Sequence, residues 1–158
     1  CSHAEFVAAV ELLKDSPLDL CVHTIFGFPW ETREMMLNYI HEINRFPQIK
    51  FVKFHHLHIV EGSIMGVKYK REPFKLFSLE EYTDLLCELI PLLRPDIVVH
   101  RLNADPSGDE LVAPAWAADK RRFLDDARRL LEATNTWQGQ ALWRPLPAWF
   151  SPDAPEAP

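Results

Sequence analysis

Apolar residues along the first 133 positions alternate between two spacings. Helical spacing governs four stretches, carried by Phe6, Val7, Val10 and Leu13, by Met36, Tyr39, Ile40 and Ile43, by Leu79, Tyr82, Leu85, Leu86, Leu89 and Ile90, and by Phe123, Leu124, Ala127, Leu130 and Leu131. Three short apolar runs separate them, at residues 18–26, 51–60 and 96–102, each of strand length. The boundaries carry their own signals. Ser2 with Glu5 and Ser78 with Glu81 read as capping boxes, Thr32 reads as an N-cap, and Pro17, Pro47, Pro91 and Pro95 stop the helices they follow or interrupt. Residues 61–77 read as a long connection, residues 103–116 as a polar loop and residues 117–133 as the last helix.

The predicted order is α-β-α-β-α-β-α. Strands joined through helices pair in parallel, and right-handed crossovers bring their C-terminal ends to one edge of the sheet. The predicted fold class is therefore α/β, a parallel-sheet partial (half) TIM-type barrel of alternating strands and helices over residues 1–133. An irregular Trp/Pro-rich tail over residues 134–158 follows, with Trp137, Trp143 and Trp149 expected to dock on the body. The near-continuous apolar run at 18–26 suggests a first strand covered on both faces. The leading helix lacks the strand that should precede it, and the chain opens on Cys1, so the sequence reads as a piece of something longer.

Composition narrows the function classes. With 158 residues, 47% hydrophobic and 25% charged, the chain can close one domain around a real core. A net charge of −6 gives no basic footprint for nucleic acid. Three widely spaced cysteines, Cys1, Cys21 and Cys87, make no disulfide framework and point to a reducing compartment. No apolar run has the length of a membrane span, so a soluble, cytoplasmic protein is expected.

Candidate chemistry collects at the expected strand ends. Alternation puts Cys21, His23 and Ile25 on one face of the first strand, His56 and His58 on one face of the second, and His100 and Arg101 on opposite faces near the end of the third. Four imidazoles and a guanidinium are thus expected to ring a nucleoside-sized hollow at the Gly27–Phe28–Pro29 turn. A lone histidine is more often structural, and no spacing here is a metal signature. Gly27 offers close backbone approach at the strand end, and Pro29 stiffens the loop. Glu31 and Thr32 read as capping residues. Asp105, Asp109 and Glu110 are acidic enough to bind a cation or act as a base, although solvated loop carboxylates are commoner. Trp116 reads as a packing anchor beneath that loop.

The stretch HTIFGFPWET at 23–32 resembles the strand-five motif of radical SAM enzymes, an apolar strand leading into G-L-P-G-E-T. With VKFHHLHIVEGS, FSLEEY, VVHRLNAD and LVAPAW in that order, residues 3–131 resemble the C-terminal half of the YhcC-like iron-sulfur oxidoreductases. The resemblance implies a partial barrel that binds S-adenosylmethionine and a [4Fe-4S] cluster and cleaves the former reductively to a 5'-deoxyadenosyl radical. It implies adenine contacts from Ile25, Gly27 and Pro29 and from the backbone at His56, Leu57 and His58, with His23, His100 and Arg101 as substrate-side candidates. Two departures stand out: Trp30 replaces a motif glycine, and the cluster-binding C-x-x-x-C-x-x-C is absent. The expected partners are the cofactor, the missing N-terminal half of the barrel and, through exposed strand edges, further copies of the chain. A chain without cluster ligands is expected to be inactive alone. Two other readings stay open: a Zn- or Mn-dependent barrel hydrolase using His23, His56, His58 and His100, and a non-catalytic binding module.

Overall fold

The computed structural model describes residues 2–104 and 110–143. Helix α1 (His3–Leu12) opens on the expected capping box, with the Ser2 hydroxyl accepting from the Glu5 amide and the Glu5 carboxylate accepting from the Ser2 amide. Strand β1 (Leu20–Phe26) leads into α2 (Arg33–Asn44), whose first turn is capped by Thr32. Strand β2 (Ile49–His56) pairs with β1 in parallel, Cys21 beside Phe51, His23 beside Lys53 and Ile25 beside His55. Helix α4 (Leu79–Leu92), capped by Ser78 and Glu81, leads to β4 (Val98–Arg101), which pairs in parallel with β2. The main sheet has the order β1-β2-β4, so among the described residues both outer strands have a free edge. Helix α5 (Lys120–Ala133) packs on α4. The alternating α/β order and the parallel pairing are as the pattern of apolar residues implied.

One face of this sheet is sealed. Phe26, Val52 and Phe54 pack there against Met36 and Ile40 of α2 and the stripe of Leu79, Tyr82, Leu85, Leu86 and Leu89 on α4, in a core that also takes in Phe123. The other face of β1 is open: Cys21, His23 and Ile25 are exposed, Ile25 by 44%. The expectation of a first strand covered on both faces is thereby corrected. The run from Leu18 reads as continuously apolar, but Leu18 itself is exposed before the strand begins.

Three further corrections concern the connections. The second strand ends at His56; after Leu57 and His58 the chain enters β3 (Ile59–Val60), which pairs antiparallel with β5 (Leu111–Ala113) inside the supposed polar loop. Within residues 61–77 lies α3 (Ile64–Arg71), capped by Ser63, whose hydroxyl accepts from the Gly66 amide. Its apolar residues Ile64 and Val67 face solvent, so it carries no buried stripe that periodicity could detect. On α5, Leu124 is 42% exposed rather than inward.

At the N-terminal ends of the strands, Arg94 ties the layers together. Its guanidinium donates to the carbonyls of Asn44 and Ile49 and pairs with Asp96. Gln138 then donates to the carbonyls of Arg94 and Ile97, both at 2.6 Å. Gln138, together with the Gly139 amide that donates to the Ile90 carbonyl, docks this stretch, whereas Trp137 and Trp143 are 48% and 65% exposed, against expectation. Trp149, Asp105, Asp109 and Cys1 lie outside the described residues.

Candidate functional site

The rim of the sheet is set by the turn after β1. Gly27 has φ +98°, and a Cβ there would lie 2.6 Å from Cε2 of Phe77, so only glycine fits between backbone and ring. The chain is held by Glu31. One carboxylate oxygen accepts from the amides of Gly27 (2.8 Å) and Phe28 (3.0 Å), and the other accepts from the Tyr39 hydroxyl (2.6 Å). Burial first, then the hydrogen bond and charge of Glu31, push the Tyr39 phenol up to about 12. Glu31 is therefore a loop clamp rather than a helix cap, and the Gly27 and Phe28 amides are taken by it rather than free for a ligand. Trp30 stacks on Phe28, ring centroids 5.0 Å apart, and stays 61% exposed. One residue past β2, the Leu57 amide donates to the Phe26 carbonyl at 2.8 Å, which fixes the segment 56–58 beside the turn.

The histidines divide between the two faces. His56 is fully buried behind the sheet, its ring 4.3 Å from that of Trp116 and 5.3 Å from that of Tyr82. Both its nitrogens lack hydrogen-bond partners, and burial, followed by the nearness of His58 and His55, pushes its pKa down to about 3. His56 is thus a neutral core residue. The expectation that it converges with His23 is corrected, because from Val52 onward the buried residues of β2 are Val52, Phe54 and His56, which leaves Lys53 and His55 on the open face. Trp116 is the expected anchor: its Nε1 donates to the Phe77 carbonyl at 2.8 Å, and its ring stacks with those of Tyr82 and Phe123.

The open face is built in layers across the strands. Cys21, Phe51 and Val98 form the lowest, His23, Lys53 and Arg101 the middle, and Ile25 and His55 the uppermost, at the rim. The His23 and His55 rings lie 5.7 Å apart. A register shift between Val52 and Lys53 lets β4 present two adjacent residues to this side: His100 meets the Phe51 ring at 4.5 Å, and Arg101 stands opposite Lys53. His100 and Arg101 do not, then, face opposite ways as strict alternation implied. Burial and the charges of Lys53 and Arg101 hold the His23 pKa below its ordinary value; burial, then His23, Arg101, His58 and Lys53, do the same for His55. Sequence reasoning missed Lys53 and His55. Their signal was present in the alternation of Val52 and Phe54 with Lys53 and His55, once the apolar pair is assigned to the core.

A cluster site is not formed by the described residues. Cys21 lies on the open face of β1 and Cys87 on α4 behind the sheet, and no group of three His, Cys, Asp or Glu among the described residues is arranged to hold a metal ion. The four-histidine metal centre also fails on geometry, since His56 sits on the sealed side. At the rim, Ile25 presents exposed aliphatic surface beside His55, whose buried Nε2 has no partner. A separate groove of about 1050 Å³ runs along α5 past Leu102, Leu124, Arg128 and Trp137 and includes none of the rim residues.

Residues 49–133 match the family model described as Radical_SAM C-terminal domain. The chain belongs to that family. It is 30% identical over 142 residues to the protein YhcC of Escherichia coli, an alignment covering 90% of this chain and 44% of that one. YtqA of Bacillus subtilis is 27% identical over 139 residues, covering 88% and 43%. The chain thus spans less than half the length of these curated relatives. Among solved structures, the archaeal Elp3 of Methanocaldococcus infernus, with an N-terminal deletion, superposes with a TM-score of 0.75 at 22% identity, covering 87% of this chain and 32% of that one. That likeness concerns the fold. Among the described residues, no helix is long and apolar enough to cross a membrane.

Proposed function

We propose that this chain is the adenosine-holding and substrate-facing side of a radical SAM, oxidoreductase-type enzyme, a partial barrel completed by an N-terminal half that carries the cluster ligands. The observation that carries the reading is the asymmetry of the sheet: helices seal one face, while the other leaves His23, Ile25 and Arg101 exposed and Lys53 and His55 half-buried, beneath a glycine turn held by Glu31 against Phe77. A parallel sheet is ordinarily buried on both faces, so an uncovered one calls for a partner. The free edges of β1 and β4 are where an N-terminal half-barrel or another copy of the chain would pair.

Within this reading, the purine lies on the exposed Ile25 side chain between the Gly27 turn and the Leu57–His58 segment, Pro29 limits the loop's freedom, and Glu31 keeps the turn in its path. When bound with its cluster, S-adenosylmethionine supplies one-electron chemistry to a substrate lying on the open face. The Cys21 and Cys87 thiols suit a reducing, cytoplasmic setting. Anaerobic iron-sulfur reconstitution tests the division of labour. The chain alone gives no [4Fe-4S] absorbance, while co-expression with a half-barrel bearing C-x-x-x-C-x-x-C gives a cluster and S-adenosylmethionine turnover. A stable cluster on this chain alone overturns the proposal.

A further inference from the structure

The middle layer of the open face is a concentration of positive charge without an acidic counterpart among the described residues. Lys53 and Arg101 stand opposite each other on neighbouring strands, an arrangement of like charges that opposes pairing. Neither side chain has an ion-pair partner among the described residues, whereas Lys50, Lys70, Lys75, Arg33 and Arg94 are each paired with a carboxylate. The charges that reach His23 are those of Lys53 and Arg101, and those that reach His55 are of His23, Arg101, His58 and Lys53; no carboxylate among the described residues contributes. This occurs in a chain with 23 acidic and 17 basic side chains, where a patch with no carboxylate among the described residues runs against composition. The buried Nε2 of His55, lacking a partner, faces the same problem from the uppermost layer.

Resting on the reading of this face as a reaction chamber, we infer that Lys53, Arg101, His23 and His55 form a binding site for an oxyanion of the substrate, a carboxylate or a phosphate. The guanidinium of Arg101 offers a planar fork suited to two oxygens of one anionic group, and the Lys53 ammonium adds a point charge from the neighbouring strand. Lys53, Arg101 and His23 lie one side-chain layer, about 7 Å, below the rim, since alternate residues of a strand are spaced by that distance, and His55 borders the site from the rim itself. The anion thereby orients the substrate beneath the cofactor. It also relieves the repulsion between the two strands and lets His23 or His55 donate to it as imidazolium.

The test is a titration of the 158-residue chain with inorganic phosphate and, in a parallel arm, with succinate, read by NMR at the imidazole signals of His23 and His55. Saturable binding raises both imidazole pKa values by about half a unit or more as the anion offsets the neighbouring cations. Lys53→Gln and Arg101→Gln each weaken the response about tenfold, whereas Lys70→Gln, which alters a paired surface cation, leaves it unchanged. Circular dichroism confirms that each variant is folded. The stronger arm identifies phosphate or carboxylate as the preferred group. Absence of saturable binding, or an equal response in Lys53→Gln, overturns the inference. Competitive displacement of phosphate by S-adenosylmethionine overturns it too, because the anion would then be the cofactor's own carboxylate. Amide shifts at residues 25–28 on adding S-adenosylmethionine report the cofactor reading separately, so failure of one claim is distinguishable from failure of the other.

Discussion

Replacing Glu31 by alanine removes the clamp on the β1–α2 turn. The carboxylate accepts from two backbone amides at 2.8 and 3.0 Å and from the Tyr39 hydroxyl at 2.6 Å. A hydrogen bond to a charged group contributes roughly 1.5–3 kcal/mol, and the half-buried position lets water recover part of each loss, so the total is about 2–4 kcal/mol. For a chain of this size that lowers the melting temperature by roughly 5–15 °C. Urea unfolding followed by circular dichroism measures the stability, and absorbance at 295 nm follows Tyr39. In the variant the phenol falls from about 12 toward its ordinary value, because the hydrogen bond and the charge are gone and burial alone remains. A loss under about 0.5 kcal/mol with an unchanged Tyr39 titration would refute the clamp.

Other outcomes follow from the same geometry. His56 titrates near 3 in the fold against about 6.5 when unfolded, so its contribution is complete above pH 6.5 and is lost as pH falls toward 3. Stability should drop by about 2 kcal/mol between pH 7 and pH 5 from this residue, and His56→Phe should flatten that limb of the urea-derived profile; an unchanged profile counts against a buried neutral ring. Gly27→Ala should cost about 2–3 kcal/mol by chemical denaturation, and Phe77→Leu in the same chain should recover the steric part but not the cost of the positive φ. Gln138→Ala leaves the Arg94 and Ile97 carbonyls without their donor and should cost about 1–3 kcal/mol, whereas Trp143→Ala should stay within about 0.5 kcal/mol; the reverse order would mean that the tryptophan does the docking.

The architecture was legible in the sequence because its signals are local. Ser2, Thr32 and Ser78 announce three helices, and the stripe from Leu79 to Ile90 marks the buried side of α4 without reference to anything distant. The site was legible only in part. His23, Ile25 and Gly27 fall where alternation and the glycine turn put them, but the phase of β2 depends on which neighbours are covered, and assigning His56 to the open face ignored the apolar pair Val52 and Phe54. The register shift that turns both His100 and Arg101 to one side leaves no mark in the sequence, because it arises from how β4 meets β2. Strand β5 was hidden for a related reason. Leu111–Ala113 is too short to announce itself and exists by pairing with β3.

The most direct test is a backbone-resolved NMR titration of the chain with S-adenosylmethionine. The account predicts amide shifts confined to residues 25–28 and 57–58, at the ends of β1 and β2. Shifts gathered instead along the α5 groove at Leu124 and Arg128, or none at the strand ends, would contradict it.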